Sequence, residues 1–121
     1  MAVTKKMAYL RKEKETMEID YPLVTVWAAI PEVLTSLEWK TNQIDDTTHH
    51  ATVKTKPGLM SYPSNLTIDG ITVNENKCRV TVQGETPVTT ITAITDFGRT
   101  SDRISLFFET LAKQLNNAKK S

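Results

Sequence analysis

The stretch Met17–Leu34 reads MEIDYPLVTVWAAIPEVL, and it changes period once, at the proline. Before Pro22 the apolar residues Met17, Ile19 and Tyr21 alternate with Glu18 and Asp20, the period-2 pattern of a half-buried strand. After it, Leu23, Val26, Trp27 and Ile30 recur at helical spacing. Pro22 suits the first turn of a helix, where its missing N–H has no intrahelical partner to lose. Pro31 disfavours helical geometry at Ile30 and removes a second donor, so the pattern predicts two short helices meeting there. Val33, Leu34 and Leu37 would lie on the second.

Downstream, strands follow one another. Trp39–Ile44 and Ala51–Thr55 flank the polar stretch Asp45–His50, which reads as a hairpin turn. Leu66 and Ile68 share one phase, and Ile71 and Val73 the other, with Asp69-Gly70 between. A phase change at a glycine predicts a β-bulge. Asn74–Asn76 and Gly84–Pro87 read as turns around the alternating Cys78, Val80, Val82 strand. Val88–Thr95 reads as a further, threonine-rich strand. The chain then carries a long helix: Thr100 or Ser101 can cap it, Asp102 complements its dipole, and Ile104, Phe107, Phe108, Leu111 and Leu115 form one stripe. Strands run together between helices, which predicts an α+β fold with a curved, mainly antiparallel sheet of about six strands.

The chain has 121 residues, 39% of them apolar and 24% charged, with a formal net charge of +1. Such a length holds one domain, and such a balance excludes a strongly basic nucleic-acid binder. The expected layout is a basic tail or strand extension over residues 1–12 and a single domain over 13–121. Lys5, Lys6, Arg11 and Lys12 make that tail basic, and Lys14 against Glu13 leaves this end of the chain basic just beyond it. A single cysteine, Cys78, excludes an internal disulfide framework. The longest unbroken apolar run, Val26–Ile30, is far too short to span a membrane. No apolar stretch of signal-peptide length follows Lys5 and Lys6, so the expected location is cytoplasmic.

Motifs that carry chemistry are few. There is no Gly-x-Ser-x-Gly elbow, P-loop or dinucleotide fingerprint. His49 and His50 stand beside Asp45 and Asp46, but neighbours on a strand point to opposite faces and would not share an ion. Cys78 falls in the apolar phase of its strand, as a core filler does. Asn65-Leu66-Thr67 matches a glycosylation sequon, without a secretion signal to give it meaning. Asp96 and Arg99 flank Phe97-Gly98 and read as partners of that turn and the helix start. No catalytic residue, metal ligand or cofactor is assigned.

Two stretches carry a family resemblance. Met17–Leu34 resembles the strand and proline-started helix of the START-like (SRPBCC) superfamily, and Ile94–Leu115, ITDFGRTSDRISLFFETLAKQL, resembles the turn and final helix of its small bacterial members. The resemblance implies the helix-grip fold, in which a curved sheet wraps a long C-terminal helix. It also implies a non-enzymatic binding module for a small apolar molecule or lipid, held between sheet and helix. Trp27, Trp39, Met60, Tyr62, Phe107, Phe108 and Leu111 are the candidate cavity residues. The alternative is an interaction protein with a filled core that acts through its surface. An enzyme on a hydrophobic substrate is a third reading, for which no acid–base pair can be named.

Overall fold

The computed structural model describes residues 10–56, 64–87 and 99–120. In chain order the elements are β1 (Leu10–Ile19), α1 (Leu23–Leu37), β2 (Lys40–Asp45), β3 (His50–Lys54), β4 (Asn65–Asn74), β5 (Lys77–Pro87) and α2 (Arg99–Lys120). The strands form one curved antiparallel sheet in the order β1-β5-β4-β3-β2, with β1 and β2 at its edges. Both helices pack on one face of this sheet and against each other.

That face is set by alternation. Ile68 opposes Val82, Met17 opposes Val80, and Ala51 opposes Ile68, so one layer of apolar side chains runs across the strands. Ala51, Val53, Leu66, Ile68, Cys78, Val80 and Val82 are all buried there. The other face is polar: Thr16 and Thr81 share a 3.0 Å hydrogen bond, and Arg79 donates to Glu18 at 2.8 Å.

Four details differ from the sequence expectations. First, α1 is one continuous helix with Pro31 inside it. Pro31 is exposed, so its missing bond falls on the solvent side, while the buried stripe continues through Ile30 to Val33 and Leu34. An interior proline costs about 3 kcal/mol, and burying two large aliphatic side chains returns roughly 1.5–3 kcal/mol each, so continuity wins.

Second, the register does not slip at Gly70. It slips at Thr72/Asn74, next to the Glu75–Asn76 turn, and at Thr41/Gln43. Gly70 stays in phase with Leu66 and Ile68 because α1 crosses there: a Cβ on it would sit 2.8 Å from Leu23 Cδ1 and 3.6 Å from Trp27 Cε3. The phase change is a change of face, which leaves Ile71 and Val73 exposed. Third, Gly84–Pro87 is strand, because β1 begins at Leu10 and supplies partners as far as Pro87. Fourth, the sheet has five strands among the described residues instead of about six. The strand expected over Val88–Thr95 lies outside them, as do Phe97 and Gly98.

The ends of the elements place the aromatics. The chain leaves α1 through Glu38 in the left-handed conformation (φ 62°), with the Glu38 and Trp39 N–H groups donating to Thr35 and Leu34 carbonyls. This closure turns Trp39 inward, where it stacks on Phe107 with centroids 6.5 Å apart. The helix α2 starts at Arg99, just ahead of the expected caps, and carries Asp102 in its first turn.

Candidate ligand cleft

One strand edge and one helix flank define an apolar opening. On β1, Glu15, Met17 and Ile19 point to the helix side, opposite Val82, Val80 and Cys78. On α2, Ile104, Phe107, Leu111 and Leu115 turn inward over the sheet and are buried. The flank of α2 toward β1 carries Ser105, Phe108, Ala112 and Asn116, spaced so that they line up along the axis. Ser105 and Ala112 are too small to reach the edge strand. A cleft of about 290 Å³ remains between Met17–Tyr21 on one side and Phe108, Leu111, Ala112, Leu115 and Asn116 on the other. It continues past Met17, Phe108 and Ala112 into a shallower space of about 330 Å³ bounded by Glu15, Ser105 and Glu109.

The candidate cavity residues are therefore divided. Phe108 and Leu111 line the cleft. Phe107 and Trp39 are buried in the core, with Phe107 also edge-on to Phe108 at 5.6 Å. Trp27 faces a separate depression of about 320 Å³ between the outer side of α1 and the β2–β3 turn, shared with Val24, Ala28, Pro31, Asp46 and His49. Its indole N–H donates to Asp46 Oδ1 at 2.8 Å, and the His49 ring stands edge-on to it at 5.3 Å. Met60 and Tyr62 lie outside the described residues. Met17, Ile19, Tyr21, Ala112 and Leu115 join the cleft, although none of them is among the expected cavity residues. In the sequence Met17, Ile19 and Tyr21 mark a half-buried strand and Leu115 the helix stripe, but only the small Ala112, one turn from Phe108, hints at open space.

The two histidines do point apart. His50 Nδ1 meets Asp69 Oδ1 at 2.6 Å on the polar face of the sheet, while His49 packs on Trp27 on the helix side. Among the described residues no three metal-ligating side chains come together. Asp45 accepts the backbone N–H groups of Thr47 and Thr48, which hold its carboxyl below the usual carboxylate range. Burial pushes the Cys78 thiol up, so it stays protonated and unreactive near neutrality. Among the described residues no helix is long and apolar enough to cross a membrane.

No protein-family model matches the chain, and no curated protein does either. Solved structures do. The chain is similar to a norcoclaurine synthase point mutant from Thalictrum flavum in complex with a transition-state analogue (TM-score 0.68, 10% identity, 91% of this chain and 96% of that one). It is similar to the Zhui aromatase/cyclase from Streptomyces sp. R1128 (TM-score 0.66, 6% identity, 90% and 96%). It is also similar to Ara h 8.0201 (TM-score 0.60, 8% identity, 88% and 99%). These structures share the helix-grip fold, and the present chain has that fold. At such identities the likeness concerns the fold alone.

Proposed function

We propose that the chain is a non-enzymatic binding module that takes a small apolar molecule in the cleft between β1 and α2. The observation that carries this reading is the cleft wall, where Met17, Ile19, Phe108, Leu111 and Leu115 converge around an opening that no side chain of the described residues fills. Ligand pockets enclose roughly 300–1,000 Å³, so an opening of about 290 Å³ favours a short acyl chain or flat aromatic over a sterol. A structural neighbour that holds a transition-state analogue supports a small-molecule role for the fold. The second reading, an interaction protein acting through its surface, draws support from the filled centre: Phe107, Val80 and Val82 are fully buried.

The test is native mass spectrometry followed by a thermal-shift panel of fatty acids, flat aromatics and sterols. A ligand at a hundred times its dissociation constant adds about 2.7 kcal/mol, well within reach of such a panel. The expected result is a raised midpoint with flat aromatic or short-chain compounds and none with sterols. Ala112→Phe, which fills the cleft from an exposed helix position, should abolish the shift and leave the unliganded midpoint nearly unchanged. No bound mass and no stabilised midpoint would leave the interaction protein as the better account.

A further inference from the structure

The cleft is apolar on its floor, but the charged residues along its walls share one sign. Glu15 stands on β1 two residues from Met17, and Glu109 stands on α2 beside Phe108, both bounding the same opening. Both are exposed, and neither forms an ion pair among the described residues. Glu18 and Asp20, at the other end, are already compensated: Glu18 by Arg79 at 2.8 Å and Lys77 at 3.8 Å, Asp20 by Lys77 at 3.7 Å. No lysine or arginine of the described residues lines the cleft. Lys113, one turn along from Glu109, stays outside it.

A ligand carboxylate would therefore bring like charge to a site that offers it no cation. The geometry points to the opposite ligand class, an amphipathic organic cation, with a protonated amine between Glu15 and Glu109 and an apolar body against Met17, Phe108 and Ala112. Apolar burial supplies the affinity and the two carboxylates supply the selection. This inference rests on the cleft being the ligand site.

Matched eight-carbon probes separate the two claims. Isothermal titration of the full chain with octylamine, octanol and octanoate at neutral pH and low salt compares head groups on one apolar body. Two exposed carboxylates favour octylamine over octanol by about five- to tenfold, with octanoate weakest. Glu15→Gln with Glu109→Gln should bring octylamine down to the level at which the same variant binds octanol. Added salt should shrink the preference in the parent chain, because both carboxylates are exposed. Octanol or octanoate binding as tightly as octylamine, or a preference that survives the double substitution, overturns the cation inference and leaves the cleft reading standing. Failure of all three probes to bind overturns the cleft reading itself, and the cation inference falls with it.

Discussion

The two helices lie on the same face of the same sheet, yet they meet it differently. α1 is pressed down on β4 at a residue with no side chain, so close that a methyl group on Gly70 would strike Leu23. Six of its residues, Leu23, Val26, Trp27, Ile30, Val33 and Leu34, are buried. α2 seals only one flank. Its large residues Ile104, Phe107, Leu111 and Leu115 close over the sheet, while Ser105 and Ala112 leave the edge strand uncovered. α1 is the more apolar of the two helices, but overall composition does not set how closely a helix approaches the sheet. Side-chain size at the contact does: a missing side chain on the sheet lets α1 in, and small side chains on α2 hold space open.

The largest expected effect tests the sealed flank against the open one. Phe107→Ala should cost about 3–5 kcal/mol, because its ring is fully buried between Trp39 and Phe108. Phe108→Ala should cost clearly less, since one side of that ring already borders the cleft. Equilibrium denaturation of the two variants measures the difference. Equal losses would mean that the β1 flank is as tightly packed as the centre, and the comparison would collapse.

The next effect concerns α1. Gly70→Ala places a Cβ against the far end of Leu23, a side chain that can shift but is itself buried, so a loss of about 1–2 kcal/mol is expected. The backbone at Gly70 is not left-handed, so the loss would report crowding and not strain. Leu23→Ala should restore part of it when combined with Gly70→Ala. A double variant no better than the sum of the two singles would break the close-contact account.

How much of this could be read beforehand depends on whether the deciding contact is local. The α2 stripe and the β1 alternation are written at fixed spacing, and the β2–β3 turn falls where Asp45–His50 predicts it. The path through Pro31 is not local: it depends on Val33 and Leu34 finding a sheet to cover them. Gly70 announces an irregularity, but whether it serves a bulge or a helix crossing depends on Leu23, far away in sequence. Gly84–Pro87 looks like a turn until Leu10–Glu13 pairs with it. The cleft was least legible of all, because Ser105 and Ala112 matter through the atoms they lack. Phe108 and Leu111 stand out as aromatic and aliphatic bulk, yet nothing in one dimension separates them from Phe107.

The smallest expected effect lies on the polar face and extends the comparison to charge. Around β1 and β5, Glu18 is held below the usual carboxylate range, first by the hydrogen bond from Arg79, then by the charges of Arg79 and Lys77. At the end of α1, the Lys56 ammonium does the same to Glu38. A carboxyl with a depressed folded value contributes stability that is fully present above its unfolded value, about 4.3 for a glutamate, and disappears as pH falls through the folded one. Both groups are exposed, so solvent screens them and the contributions are small. Glu18→Gln should therefore lower the thermal midpoint slightly at neutral pH, with the difference from the parent closing below about pH 4. Glu38→Gln should show a smaller gap, because Glu38 meets one cation and Glu18 two. Thermal melts of the parent and the two variants between pH 3 and pH 7 measure both gaps. A gap for Glu18→Gln that stays constant with pH would show that the Arg79 contact stabilises β1 and β5 through packing alone, independent of charge.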